Sequence, residues 1–242
     1  MPPGQRVYAI GDIHGRLDLF HDLMLQIEAD DAARPLAELT VILLGDLVDR
    51  GPDSASVIDH VLRLREAGVP IRALLGNHER MMLSALDNEP NGVAQFLKIG
   101  GRATFRSYGV TDAEMDELDT PALAAAAAAL VGPRHLAFLR SLETSIQIGD
   151  YLFVHAGIRP GRSIDEQMES DLLWIRNPFL DSDVDHGCMV VHGHTPTPTI
   201  DLRPNRIGVD TGAYFSGQLT ALGIEEADLW TLTAEGEATG RR

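Results

Sequence analysis

Five short apolar runs in this chain each stop at residues that bind metal ions or move protons. The runs "RVYAI" (6–10), "LTVILL" (39–44), "IRALL" (71–75), "YLFV" (151–154) and "MVV" (189–191) read as strands. They are followed at once by "GDIHG" (11–15), "GDLVDRG" (45–51), "GNHE" (76–79), "HAG" (155–157) and "HGHTP" (192–196). After the first run, Leu17, Phe20, Leu23, Met24 and Ile27 recur at helical spacing, and Val57, Ile58, Val61, Leu62 and Arg65 do so after the second. Strand, helix, strand, helix, strand is the pattern of a mostly parallel α/β sheet.

In such sheets a site lies beyond the carboxyl ends of the strands. Five segments would therefore bring Asp12, His14, Asp46, Asn77, His155 and His194 to one place, and the flanking glycines allow sharp turns and close approach. A single strand-end aspartate is often a helix cap, and a single histidine usually packs. Agreement at five strand ends is what points to a site. Carboxylate, imidazole and amide oxygen together suit divalent manganese, iron or zinc. Six ligands exceed what one tetrahedral ion needs, whereas two ions sharing a carboxylate use them fully. Paired ions ~3.5–4 Å apart clamp a phosphoryl group and activate water for in-line attack.

The rest of the chain narrows the partners. A formal charge of -16 argues against strand-like nucleic acids, which need a basic surface. Cys188 is the only cysteine, so no intrachain disulfide forms, which suits a reducing compartment. The start shows no signal-peptide pattern, and the apolar run 122–131 falls short of the ~20 residues of a membrane span. The expectation is one cytoplasmic domain over 1–242, without membrane partners, its oligomeric state open. Residues 80–143 read as a helical insertion, with an alanine-rich helix over 121–131 and another near 134–142. "SIQIGDYLFVHA" reads as a hairpin turning at Gly149-Asp150, 204–232 as further strands, and "AEGEATGRR" (234–242) as a frayed tail.

The ordered set GDxHG, GDxVDRG, GNHE, HAG and GHTP, from residue 7 to about 223, resembles the phosphoprotein-phosphatase branch of the calcineurin-like metallophosphoesterases, and within it the bacterial and phage lambda-phosphatase-like group. "LLWIR" and "RIGVDTGAY" are similar to bacterial members as well. The resemblance implies a central mixed β-sandwich flanked by helices in α/β/β/α layers, with a helical insertion and a dinuclear site at one edge. Asp12, His14 and Asp46 would hold one metal, and Asp46, Asn77, His155 and His194 the second, with manganese expected first and iron or zinc as alternatives. His78 would protonate the leaving oxygen and Asp49 would orient it. Arg50, Arg176 and Asn77 would contact the phosphate. A planar arginine fork suits that contact better than a lysine. Asp46, Asp49 and Arg50, gathered in seven residues, would thus bridge the metals, aim the acid and hold the substrate.

The wider superfamily often reads GHxH where this chain has Pro196, so His192 is expected to be structural or to support a ligand. His21, His60 and His135 lie in helical patterns and read as packing or surface residues. His186 reads as part of a solvated acidic loop, and Trp174 as packing that positions Arg176. Asp210 and Tyr214 would lie near the site rim. The expected activity is removal of phosphate from phosphoserine and phosphothreonine, with phosphotyrosine as a further candidate, by metal-activated water. The alternative is a dinucleoside polyphosphate hydrolase of the diadenosine tetraphosphate type; that group commonly reads GNHD, where Glu79 stands here. A metal-binding scaffold without turnover is disfavoured because no ligand and no acid is missing.

Overall fold

Alternation along β1 (Gln5–Ile10) and β2 (Glu38–Leu43) sets up the architecture. Val7, Ala9 and Ile42 face one way, and Tyr8, Ile10, Val41 and Leu43 face the other, and all are buried. A strand buried on both faces must lie between two layers. The computed structural model, which describes residues 1–239, shows both layers.

The first sheet has the order β10-β9-β1-β2-β3, with β3 at Ile71–Ala73, β9 at Gln218–Glu225 and β10 at Asp228–Glu235. Strands β1, β2 and β3 are parallel, while β9 runs antiparallel to β1 and to β10. The second sheet has the order β4-β5-β6-β8-β7. It contains β4 (Ser145–Ile148), β5 (Tyr151–Val154), β6 (Met189–His192), β7 (Asp201–Leu202) and β8 (Arg206–Gly208). Strands β5, β6 and β8 are parallel, and β4–β5 is the hairpin expected around Gly149-Asp150. Helical spacing and strand runs anticipate the parallel segment of each sheet. They do not anticipate that the chain divides into two mixed sheets, because side-chain alternation says nothing about which strand lies beside which.

Three apolar layers hold the sandwich together. Val7, Ile42, Leu44, Phe153, Val191, Ile207 and Ile224 fill the space between the sheets. The other face of the first sheet packs against α1 (Leu17–Ala33), α2 (Ser54–Glu66), α3 (Asn77–Leu86) and the rest of the insertion. That insertion comprises α4 (Gly92–Phe96), α5 (Arg102–Ser107), α6 (Asp112–Glu117) and α7 (Thr120–Arg140). The outer face of the second sheet packs on α8 (Glu169–Trp174) through Leu172, Ile175 and Phe179, and a one-turn α9 (Ala213–Ser216) follows β8. The layers are therefore α/β/β/α.

Helix α7 has the length and apolar content of a membrane-crossing helix. It breaks at Gly132 (φ 72°), just before Pro133, and buries Leu123, Ala127, Val131 and Phe138 in the helix-side core. The chain end departs from the frayed expectation. Ala234 and Glu235 complete β10, Gly236 N–H donates to the Gly217 carbonyl, and Thr239 N–H donates to that of Tyr214. Pairing with β9 outweighs the Gly- and charge-rich composition; positions 240–242 of that expectation lie outside the described residues.

Candidate active site

The carboxyl ends of β1, β2, β3, β5 and β6 meet at one edge of the sandwich, with Asp46 at the centre. Its Oδ2 lies 3.6 Å from His14 Nε2, 3.5 Å from His155 Nε2 and 3.8 Å from His78 Nε2. Two groups share it: His14, Asp46 and His78, and Asp46, His155 and His194, each with ligand atoms within 4.8 Å of one another. Asn77 joins the second group, its Oδ1 2.8 Å from His155 Nε2. Asp12 lies beside them, both carboxylate oxygens accepting His194 N–H at 3.1 Å. All six expected ligands are thus at one edge.

Close approach of the loops requires small residues at two points. A side chain on Gly76 would come within 2.3 Å of the Asp46 backbone nitrogen, and Gly45, at φ 96°, faces Gly76 backbone at 2.8 Å. Left-handed backbone also gathers here. Eight non-glycine residues among those described have positive φ, and five of them are His14, Asp46, Asp49, Arg50 and His194. Such conformations cost of order 1–3 kcal/mol each and persist where the surroundings impose them.

The histidines are oriented by backbone carbonyls. His14 Nδ1–H donates to Val48 O at 2.8 Å, and His155 Nδ1–H donates to Leu44 O at 2.8 Å. Each Nε2 lone pair therefore points into the site, as a metal ligand requires. Burial, with the charge of His78, keeps His14 far below the usual imidazole range; burial also lowers His155. Burial and His155 lower His194 to about 3.

The carboxylates are in a different position. Burial opposes the charge on Asp46, but the surrounding imidazoles of His155, His78, His14 and His194 outweigh it and hold that carboxyl below its usual range. Burial, then the charges of Asp210 and Asp46, push Asp12 well up. Asp210 is pushed up to about 7 by burial and Asp46, against the bond it accepts from Gly212 N–H. Among the described residues, no lysine or arginine comes within ion-pair reach of Asp12, Asp46 or Asp210. Neutral imidazoles with inward lone pairs and crowded buried carboxylates form a donor set that divalent cations complete.

His78 is arranged for another task. Its Nδ1–H donates to Asp49 Oδ2 at 2.6 Å. Burial would lower its pKa, but the charge of Asp46 and the bond to Asp49 raise it overall. Asp49 is itself clamped: its Oδ1 accepts the Thr104 hydroxyl at 2.5 Å, and its N–H donates to Thr104 Oγ1 and Ser54 Oγ. Thr104 comes from α5, so the helical insertion completes the site. Sequence reasoning does not reach Thr104, since nothing at its position marks a contact 55 residues away.

Glu79 is the second residue that the motif alone leaves without a role. Its fully buried carboxylate accepts the N–H groups of Asp46, Leu47, Val48 and Gly76 at 2.7–3.1 Å. It ties the "GDLVDRG" loop to the first turn of α3, and hence Asp46 to Asn77 and His78. Burial and the charge of Asp46 nevertheless push it up to about 8. The readable signal was glutamate at the third position of a helix, where a capping box bonds backbone N–H groups.

A pocket of about 400 Å³ opens over these residues, lined by Asp46, Arg50, Asn77, His78, Ile99, Trp174, Arg176 and His194. Arg50 Nη1 donates to His14 Nε2 at 2.7 Å, and its guanidinium lies 4.8 Å from the Tyr214 ring centre. Arg176 Nε donates to His194 Nε2 at 3.4 Å. A larger cavity of about 570 Å³ between α1 and α2 carries none of these groups.

Other positions divide cleanly. Asp210 belongs to the carboxylate crowd and Tyr214 packs edge-on to His14, so both stand at the site. His192 is buried, donates Nδ1–H to Gly193 O and packs on Phe179, outside both ligand groups. His60 packs on Phe20, and His135 is bonded by Tyr108 and Asp59. His186 lies against Phe179, not free in solvent. Trp174 departs from the packing expectation: it is 43% exposed and lines the pocket, because its neighbours Leu173 and Ile175 take the buried positions.

Known proteins place the chain. It is 28% identical over 191 residues to the symmetrical bis(5'-nucleosyl)-tetraphosphatase of Nitrosospira multiformis, a match covering 78% of this chain and 57% of that protein. It thus spans just over half the length of that relative. It is 29% identical over 229 residues to serine/threonine-protein phosphatase 1 of Salmonella typhimurium, covering 91% of this chain and 93% of that one. The crystal structure of a cold-active protein-tyrosine phosphatase of a psychrophilic Shewanella superposes with a TM-score of 0.61 at 20% identity, covering 97% of this chain and 83% of that one, which speaks to fold alone. The calcineurin-like phosphoesterase family model matches residues 5–223. With the whole second sheet, β1 to β3 of the first and every strand-end motif inside that span, the chain belongs to the calcineurin-like phosphoesterases, metal-dependent phosphoric ester hydrolases with a dinuclear site for divalent ions.

Proposed function

We propose that the chain is a phosphomonoesterase that removes phosphate from phosphoserine and phosphothreonine, and also from phosphotyrosine, in proteins. The observation that carries this reading is the buried His78–Asp49 pair, in which the His78 Nδ1–H is taken by Asp49 while its Nε2 faces the shared Asp46. An alkoxide is a far poorer leaving group than a nucleoside phosphate, so an ester of serine gains most from a placed proton donor.

Asp12, His14 and Asp46 would hold one divalent ion, and Asp46, Asn77, His155 and His194 the other. Manganese is the first choice for this nitrogen and oxygen donor set, with iron or zinc as alternatives. When bound, the ions supply concentrated positive charge and an acidified water. The chain supplies the rest. Arg50 and Arg176 bind phosphoryl oxygens and offset their growing charge, with Asn77 alongside. His78 donates its Nε2 proton to the departing oxygen. Asp49, fixed by Thr104 and Ser54, keeps the Nδ1 proton in place and stabilises the charged imidazole that acts as the acid.

A second reading, hydrolysis of dinucleoside tetraphosphates, is favoured by the name of the Nitrosospira relative. An aryl phosphate, phosphoserine, phosphothreonine and phosphotyrosine peptides, and diadenosine tetraphosphate, each assayed with manganese and with chelator, separate the two. Metal-dependent peptide turnover exceeding dinucleotide cleavage is expected. Preferred dinucleotide cleavage would transfer the same site to the second reading, and no turnover with any metal would overturn both.

A further inference from the structure

The pocket lining is of two kinds. Arg50 and Arg176 are cationic, as a phosphoryl group demands, whereas Ile99 and Trp174 are apolar and add nothing to phosphate binding. The segment that carries Trp174 is nonetheless firmly built. Asp171, bonded by Arg159 Nη2 at 2.6 Å and Nε at 2.9 Å, pins the start of α8. Ala156 N–H, in the "HAG" loop, donates to Leu172 O at 2.8 Å. Leu172, Leu173 and Ile175 are buried, which leaves Trp174 and Arg176 to project together on the pocket side.

The two tryptophans show the contrast. Trp230 is half-buried, donates to Asp30 and lies under the Arg34 guanidinium. Trp174 has one ring contact, with His194 at 6.4 Å, and its indole N–H has no partner among the described residues. Ile99, which also lines the pocket, comes from the insertion, just before the kink at Gly100 (φ 127°).

We propose that Trp174, with Ile99 lining the same pocket, is a specificity-determining surface that stacks on a planar ring carried by the group attached to the phosphoryl. This rests on phosphoester hydrolysis at the pocket. The ring has two possible sources, the phenol of phosphotyrosine and the base of a nucleotide, and the chemistry of recognition is the same for both.

Binding is measured first, so that the result does not depend on turnover. Phenylphosphonate and methylphosphonate are titrated calorimetrically into the manganese-loaded protein, as wild type, Trp174→Ala and Trp174→Phe. The preference for the phenyl compound should fall about tenfold in Trp174→Ala and stay within about threefold in Trp174→Phe. An unchanged preference in Trp174→Ala, or equal losses for both compounds, would overturn the proposal; equal losses would mean that Trp174 merely positions Arg176. Ratios of kcat/KM then identify the source, comparing phosphotyrosine with phosphoserine in one peptide, and diadenosine tetraphosphate with tripolyphosphate. The ring-bearing member of the pair that is hydrolysed should lose about tenfold relative to its ringless partner, chiefly through KM, and no relative loss would count against stacking. Which pair is hydrolysed decides the preceding functional reading separately.

Discussion

The two ends of β1 bury charge in opposite ways. At its start, Arg6 is almost fully buried and fully matched: Asp31 and Glu225 accept from it at 2.5 Å and 2.9 Å, and the Pro35 carbonyl at 2.7 Å. Nearby, Asp30 accepts from Tyr8, Arg34 and Trp230. Burial opposes its charge, but those bonds prevail and its pKa is lowered. At the other end, Asp12 and Asp210 are raised, with no lysine or arginine in ion-pair reach among the described residues. Charge that serves the fold is balanced within the fold. Buried carboxylates left without an ion-pair partner mark a site that takes its balancing charge from outside.

Substitutions sharpen that contrast, beginning with the largest effect. His78→Ala should cut phosphoserine-peptide turnover by roughly 10²–10⁴, and lower the melting temperature as well because buried Asp49 loses its donor. Loss for an aryl phosphate, whose phenolate leaves without help, should be much smaller. Equal losses for both substrates would remove His78 from the role of acid. Glu79→Ala strips four backbone N–H groups of one buried acceptor and should cost at least ~3 kcal/mol in denaturant unfolding. A change under ~1 kcal/mol would show that the loops hold themselves.

Thr104→Ala should lower kcat about tenfold by freeing Asp49, and move the basic limb of the pH profile to lower pH because the acid then holds its proton less well, with Thr104→Ser restoring both. An unmoved profile would make Thr104 a packing residue only. The smallest effects belong to the matched end. Tyr8→Phe or Trp230→Phe should each cost ~1 kcal/mol of stability and leave kcat/KM unchanged. Because Asp30 is depressed in the folded state, its contribution is present above the unfolded carboxylate pKa and is lost as pH falls through the folded value. The penalty of either variant should therefore shrink in strongly acidic solution; a penalty independent of pH would assign it to packing.

What was legible in the chain follows from how local each signal is. That Asp12, His14, Asp46, Asn77, His155 and His194 meet at one edge is readable because residue type, glycine and strand end coincide within a few positions. Asp49 and His78 were readable from the resemblance, and the structure places them in contact. Thr104 was not, because its value lies in a single bond made across the helical insertion. Trp174 was misjudged as packing, since only the burial of Leu173 and Ile175 reveals which way it must point. The second sheet was invisible to periodicity for a related reason: alternation reports faces, whereas neighbours are settled by long-range pairing.

The unbalanced end of β1 is tested most directly by metal stoichiometry. Chelator-treated protein would be titrated with manganese in a calorimeter, as wild type and Asp46→Asn. Two ions should bind per wild-type chain, and the shared-carboxylate variant should lose measurable affinity for both. Binding of no ion, or unaltered binding in Asp46→Asn, would contradict the account.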